Sequence, residues 1–520
     1  MGNPLYLVVG LLIAVSYPLG FEPLAFADPA SGLWASEAAV LGFGLLAWGV
    51  HRALARGRPE LLGVARMALR WLALGAYAAL VFVFHWPLWV WSQGLEESAL
   101  LRPIVTLLPL LGLLAALAVV GARFDPRRGS YGGAVAFALR GFVGFSLVPV
   151  LLMIGVDALL EQVAWLRRAA FILPALGWGL ALGGMLVLVA VLPFLIRLAF
   201  GARPLEPGPL RDRLWRLCGE TGFRCRELLV LGTGGARLAN AFIVGIAPGG
   251  RYVFFTDAIV RGMSPDSLES VLAHEIAHSR RGHLKAFLAA MVGFSFLNAS
   301  LLDVLEGRIP AVAAMGVVAV LAVGFWAGLF GWVSRRFETE ADLAAAKSTP
   351  AGARGMAEAL REVAELNRIS PWAWSWRHFS IAKRIDLLVR SELDPERGEE
   401  FERRCARWRA RATGFLLLGL LAAAGVGLRQ ASHASERTGL FEAYERLDRG
   451  GELLQKDRFR EARSELRAAI DGGAKDLGQA WLWLADCERA LGDLEAARKD
   501  EQEARRRGLA DPRERLRLAR

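Results

Sequence analysis

"VLAHEIAHSRRGH", residues 271–283, puts three of the chain's seven histidines within ten positions and sets Glu275 between the first two. A helix turns about 100° per residue, so His274 and His278 lie about 40° apart and can offer both imidazoles to one ion. Glu275 stands beside that face, close enough to act on a water at the ion without becoming a ligand. The preceding "SPDSLES" supplies a helix start, with Ser264 as cap and Pro265 at the first helical position, where a missing N–H does no harm.

Zinc suits this arrangement because it accepts nitrogen and carboxylate ligands in a tetrahedron and activates a water near neutral pH. Glu275 would take that water's proton as it attacks a peptide carbonyl and later give it to the leaving amine. A chain of this composition contains such a histidine–acid pattern by chance in about one case in a hundred. A third protein ligand is needed, and "SRRFETEAD", residues 334–342, offers it. Glu338 and Asp342 share a helical face, while Glu340 points about 160° away from Glu338. Glu338 is the expected ligand, and Asp342 the acceptor that fixes the tautomer of a ligating histidine.

Around these motifs the chain is too apolar for an ordinary soluble protein: 520 residues, 54% hydrophobic, with a mean hydropathy of +0.35. Membrane spans are expected near 3–20, 33–50, 68–92, 102–121, 133–156, 171–198, 286–304, 311–333 and 412–428. The net charge of +11 reflects basic segments beside the spans, not a nucleic-acid surface. "HRALARGRPELLGVARMALR" (51–70), "ARFDPRRG" (122–129) and "RLAFGARPLEPGPLRDRLWR" (197–216) are expected to stay in the cytoplasm by the positive-inside rule. The loop at 157–170 falls outside despite Arg167 and Arg168. The two chemical motifs, separated by a membrane hairpin at about 286–333, then share the cytoplasmic side. The N-terminal apolar run lacks a basic lead-in and is read as a retained span. Four cysteines, scattered over both sides, predict no structural disulfide.

"HEIAH" followed after a membrane hairpin by "SRRFETEAD" resembles the family of integral-membrane zinc endopeptidases that includes the CAAX prenyl protease, the heat-shock protease HtpX and the mitochondrial Oma protease. The resemblance covers about 202–390. It implies a zinc ion held by His274, His278 and Glu338, with Glu275 catalytic and Asp342 in support. "NAFIVG" is similar to the family's Asn-Ala strand, which makes Asn240 and Ala241 candidates for binding the substrate backbone by β-addition. "RHFSIAKRI" resembles a late histidine motif with an Arg-Ile following, which gives His378 a part in stabilising the oxyanion and sets Arg384 behind the site in support; Phe379 stands where that motif commonly has proline. His283 either supports the site or sits solvated at the membrane edge.

The expected architecture is mainly α: a polytopic membrane helical protein with a small α+β zincin-type metallopeptidase domain and a C-terminal helical repeat tail. Residues 1–201 carry six spans that either wall a chamber or form a separate sensor. Residues 202–411 form the peptidase domain, 412–428 the final span, and 437–520 a tetratricopeptide-like tail with a 35-residue period that pairs Ala462 with Ala497 and Ala469 with Ala504. The expected partners are a polypeptide substrate, the lipid bilayer and a protein at the repeats. The expected location is the bacterial inner membrane, with the tail on the outer side. Two other functions remain open at this point. One is a catalytically idle scaffold. The other is a site-2-type intramembrane protease that takes its third ligand from Asp303.

Overall fold

The computed structural model describes residues 10, 11, 13, 14, 29–58, 61–95, 98–124, 130–143, 147–235, 238–373 and 378–507. The fold is mainly α with one small sheet. Among the described residues, seven helices are long and apolar enough to cross a membrane: Ala30–Gly57, Leu62–Phe82, Leu101–Arg123, Pro174–Ala199, His283–Leu305, Ala313–Ser348 and Pro395–Ser432. At about 1.5 Å per residue each exceeds the hydrocarbon thickness of about 30 Å. Most of the span expected at 3–20 lies outside the described residues.

Of the span expected at 133–156, residues 144–146 lie outside the described residues. The described parts are the helices Tyr131–Phe142 and Val148–Gln162. Val148–Gln162 then meets Ala164–Ile172 at a bend of 97°. This bent pair carries Arg167 and Arg168 to the C-terminal tail, where they reach Glu445 and Glu442, each at 3.2 Å. Phe171 packs on Phe441 and Tyr444 at ring separations of 5.4 and 5.6 Å. The two arginines that strained the charge rule therefore have carboxylate partners in the tail.

The sheet has strand order β1-β2-β4-β3, with β1 Arg203–Pro204, β2 Glu227–Leu231, β3 Ala241–Val244 and β4 Tyr252–Thr256. β3 and β4 form an antiparallel hairpin with Ala241 opposite Phe255, and β2 runs parallel to β4. Every residue of β4 is buried, so both sheet faces are covered. Alternation divides them: Val253 and Phe255 join the core under the HEIAH helix, while Tyr252 and Phe254 pack on Ile196 and Phe200 at the end of the Pro174–Ala199 span. The sheet is thus fixed between a membrane helix and the helix that carries the chemistry, and β3 is left at an edge.

His283–Leu305 packs along Pro395–Ser432 with backbones in close approach. A Cβ on Gly293 would lie 2.7 Å from the Phe415 carbonyl, and one on Gly419 would lie 2.6 Å from the Gly293 carbonyl. Such close approach of small residues is a common way for membrane helices to associate. The second limb of the hairpin runs without a break from Ala313 to Ser348, so "SRRFETEAD" extends directly from a span. Beyond Ser432, helices Ala434–Gln455, Phe459–Asp471, Gly478–Ala490 and Leu494–Arg507 pack each against the next. Ala462, Ala469, Ala497 and Ala504 are all buried between them.

Candidate metal centre

The HEIAH helix, Pro265–Arg280, is capped by Ser264, whose hydroxyl accepts from the Ser267 N–H at 3.3 Å. Glu362 holds this end, accepting from the Ser264 N–H and hydroxyl at 3.0 Å and from the Ser267 hydroxyl at 2.8 Å. Leu268, Leu272 and Ile276 pack into the core under the sheet. Gly282 ends the run at φ +72°, a left-handed conformation that a side chain would strain. The chain reverses there, and His283, first residue of the next helix, comes back against His278.

On the face of this helix turned to Gly331–Ser348, His274 Nε2 and His278 Nε2 converge to 3.1 Å. Each lies 3.6 Å from a different carboxylate oxygen of Glu338, on the facing helix Gly331–Ser348. Ligand atoms about 2.0–2.2 Å from a tetrahedral zinc are about 3.3 Å apart, so this trio has the spacing of three zinc ligands. Two neutral imidazoles and one carboxylate are also a donor set zinc accepts. His274, His278 and Glu338 are the group that could hold a metal among the described residues.

Each histidine is held from behind by its other nitrogen. His274 Nδ1 lies 2.9 Å from Asp342 Oδ1. Arg384 clamps Asp342 in turn, donating from Nε at 2.7 Å and Nη2 at 2.6 Å. His278 Nδ1 lies 2.9 Å from His283 Nδ1, and His283 Nε2 lies 2.9 Å from Glu340. With His278 Nε2 turned to the metal position, one proton arrangement satisfies this chain: His278 Nδ1–H donates to His283, and His283 Nε2–H donates to Glu340. Arg409 donates to the same Glu340 carboxylate at 2.5 Å. Burial alone disfavours a charged His274, but Asp342 and Glu338 overcome it and raise that imidazole to about 10. Burial pulls His278 well below its ordinary value.

Sequence reasoning gave Glu340 no part and left His283 two places. The structure buries both, at 0% and 1% exposure, and links them. The missed signal was that a helix continuous with a membrane span is packed on most sides, so a carboxylate on any face needs a partner.

Burial pushes the Glu275 carboxyl up to about 7; His274 and Arg384 oppose the shift and Glu338 adds to it. The HEIAH helix packs against β3, and a backbone hydrogen bond from Ile243 on that strand also opposes the rise. Asn240 and Ala241 stand at the start of that edge strand, where the Asn240 N–H donates to Thr256 Oγ1 at 3.0 Å and the Asn240 carbonyl accepts from the Thr256 N–H at 2.9 Å. His378 is brought in from a distant loop, with Nδ1 3.0 Å from Glu338 and 42% of its side chain exposed. Arg384 Nη2 lies 3.8 Å from Glu338 while clamping Asp342.

Asp303 does not join the group, which removes the site-2-type reading. It is 20 residues along the helix from His283, about 30 Å away. It is bonded there to Arg429 and, at 3.0 Å, to Gln430.

The profile of peptidase family M48 matches residues 220–393, the segment that holds every group described at the metal centre except Arg409. Over those residues the chain is similar to peptidase family M48. The chain is 28% identical over 123 residues to a CAAX prenyl protease 1 homolog of Oryza sativa, covering 23% of this chain and 29% of that protein. It is 28% identical over 200 residues to protease HtpX of Pseudomonas putida, covering 35% of this chain and 66% of that protein. The chain thus spans less than two thirds of the length of either relative. The crystal structure of S. mikatae Ste24p aligns with a TM-score of 0.46 at 16% identity, over 71% of this chain and 100% of that one. The M48 match stops short of the N-terminal spans and the tail.

Proposed function

We propose that the M48 domain holds one zinc ion through His274 Nε2, His278 Nε2 and Glu338 and hydrolyses peptide bonds. The observation that carries this reading is the meeting of two imidazole nitrogens at 3.1 Å with a carboxylate 3.6 Å from each, beside a glutamate raised to about 7. Members of family M48 depend on zinc in general. When bound, zinc would supply a Lewis acid that activates a water and polarises the scissile carbonyl. Glu275, poised near neutral pH, takes the proton of the attacking water and passes it to the leaving amine. His378, exposed at the rim, and Arg384, beside Glu338, offer donors to the oxygen on which negative charge develops. The edge strand β3 receives an extended substrate as a further strand starting near Asn240 and Ala241. Asp342 with Arg384, and His283 with Glu340, hold the two ligand rings in place.

The substrate class is polypeptide, membrane-embedded or unfolded, as in membrane-protein quality control or peptide processing. Residues 202–411 act as the peptidase domain beside the N-terminal spans of 1–201. The final span, 412–428, leads to 437–520, a tetratricopeptide-like module that recruits a protein partner. The charge pattern supports the inner membrane of a bacterium, with the active site facing the cytoplasm and the tail outside.

Metal analysis of the purified full chain tests the ligand set. One zinc per chain is expected, and it should be lost in His274→Ala and Glu338→Ala but kept in Glu275→Gln. Stoichiometric zinc in Glu338→Ala would overturn the assignment.

A further inference from the structure

A cleft of about 320 Å³ opens between the start of the Gly331–Ser348 helix and the Pro395–Ser432 helix, apart from the metal centre. Its walls are Trp332, Arg336, Arg404, Arg407, Trp408 and Arg411, with no acidic residue lining it. Arg336 stacks over Trp332 at 3.3 Å and Arg411 over Trp408 at 4.5 Å, and the two indoles meet edge to face at 4.6 Å. Arg404 has Glu400 at 2.5 Å as its acidic partner. Among the described residues, Arg407 and Arg411 have no carboxylate within ion-pair distance. Four guanidinium groups around one small cleft repel each other unless an anion joins them.

We propose that this cleft binds the phosphate headgroup of an anionic phospholipid. The place fits a lipid better than a free ion. Both walls continue as apolar helix at the same level: the hairpin limb from Ala313 runs up to Trp332, and the long helix turns apolar just after Arg411. Leu417, Leu418 and Leu421 stand 54–70% exposed on that continuation, where acyl chains would lie. Tryptophan is the residue that settles at headgroup depth, and arginine is the one whose planar fork matches phosphate oxygens. A bound headgroup would draw together the two helices that also join through Arg409 and Glu340, next to the metal centre.

Native mass spectrometry of the full chain in detergent tests this, after exposure to equal amounts of phosphatidylglycerol and phosphatidylcholine. The wild type should retain one phosphatidylglycerol in preference, by tenfold or more. The Arg336→Gln/Arg407→Gln/Arg411→Gln variant should lose that preference, while an Arg56→Gln/Arg58→Gln control, basic residues elsewhere, should keep it. Arg411→Gln alone, at an exposed position, should weaken retention severalfold, and it covers the case in which the triple variant does not fold. Equal retention of the two lipids by the wild type would overturn the proposal, as would undiminished preference in both cleft variants. Displacement of the lipid by millimolar inorganic phosphate would assign the cleft to a free anion instead. The readout is bound lipid, so it stands whether or not the protein cleaves peptides.

Discussion

Replacing His283 with phenylalanine should weaken zinc binding without replacing any of the proposed zinc ligands. His283 contributes no atom to the metal position, yet its Nδ1 receives His278 and its Nε2 is tied to Glu340, both at 2.9 Å. Phenylalanine keeps the flat ring that stacks at 4.2 Å on Phe337 and removes both polar atoms. His278 Nδ1–H then faces an apolar ring and loses the partner that fixes its tautomer. Losing such support behind a metal ligand costs about 10- to 100-fold in affinity, or about 1.4–2.7 kcal/mol. Glu340 keeps Arg409 at 2.5 Å, so the fold should lose only about 1–3 kcal/mol from the missing bond. Zinc competition against a chromophoric chelator measures the affinity. His283→Gln, whose amide can both accept and donate, should recover most of it. If His283→Phe binds zinc as tightly as the wild type, the His278–His283–Glu340 chain is not what orients the ligand.

Other outcomes follow from residues away from this chain. Asp303→Asn should leave zinc content and proteolysis unchanged, because Asp303 is bonded to Arg429 and Gln430 at the far end of its helix; loss of metal on assay would restore the site-2-type arrangement. In the tail, burial raises the Asp500 carboxyl from 3.8 to about 6, with Glu488 adding to the shift. The folded chain therefore binds more protons than the unfolded chain between those values, and the tail loses stability as pH rises through that window. Asp500→Asn should slow hydrogen exchange in Leu494–Arg507 at pH 7 and have little effect near pH 4; equal exchange at both pH values would count against the shift.

The local parts of this site could be read from sequence because their geometry is local. His274 and His278 share a face by helix periodicity alone, and Glu338 and Asp342 do so on a second helix. The β3–β4 hairpin shows in the sequence itself as two β-rich runs, "NAFIVGI" and "RYVFFTD", joined by "APGG". What could not be read depends on partners far along the chain. Glu340 is held by Arg409, 69 residues away, and no spacing rule reports a contact at that separation. The docking of Phe171 on Phe441 spans 270 residues and likewise leaves no local pattern.

Cleavage of an unfolded polypeptide by the purified full chain tests the central claim most directly, comparing wild type, wild type with chelator, and Glu275→Gln. Removing the general base should cost about 10²- to 10⁴-fold in rate, with zinc still bound, and chelation should abolish cleavage until zinc is returned. Equal rates for wild type and Glu275→Gln, or cleavage that survives removal of zinc, would contradict the account.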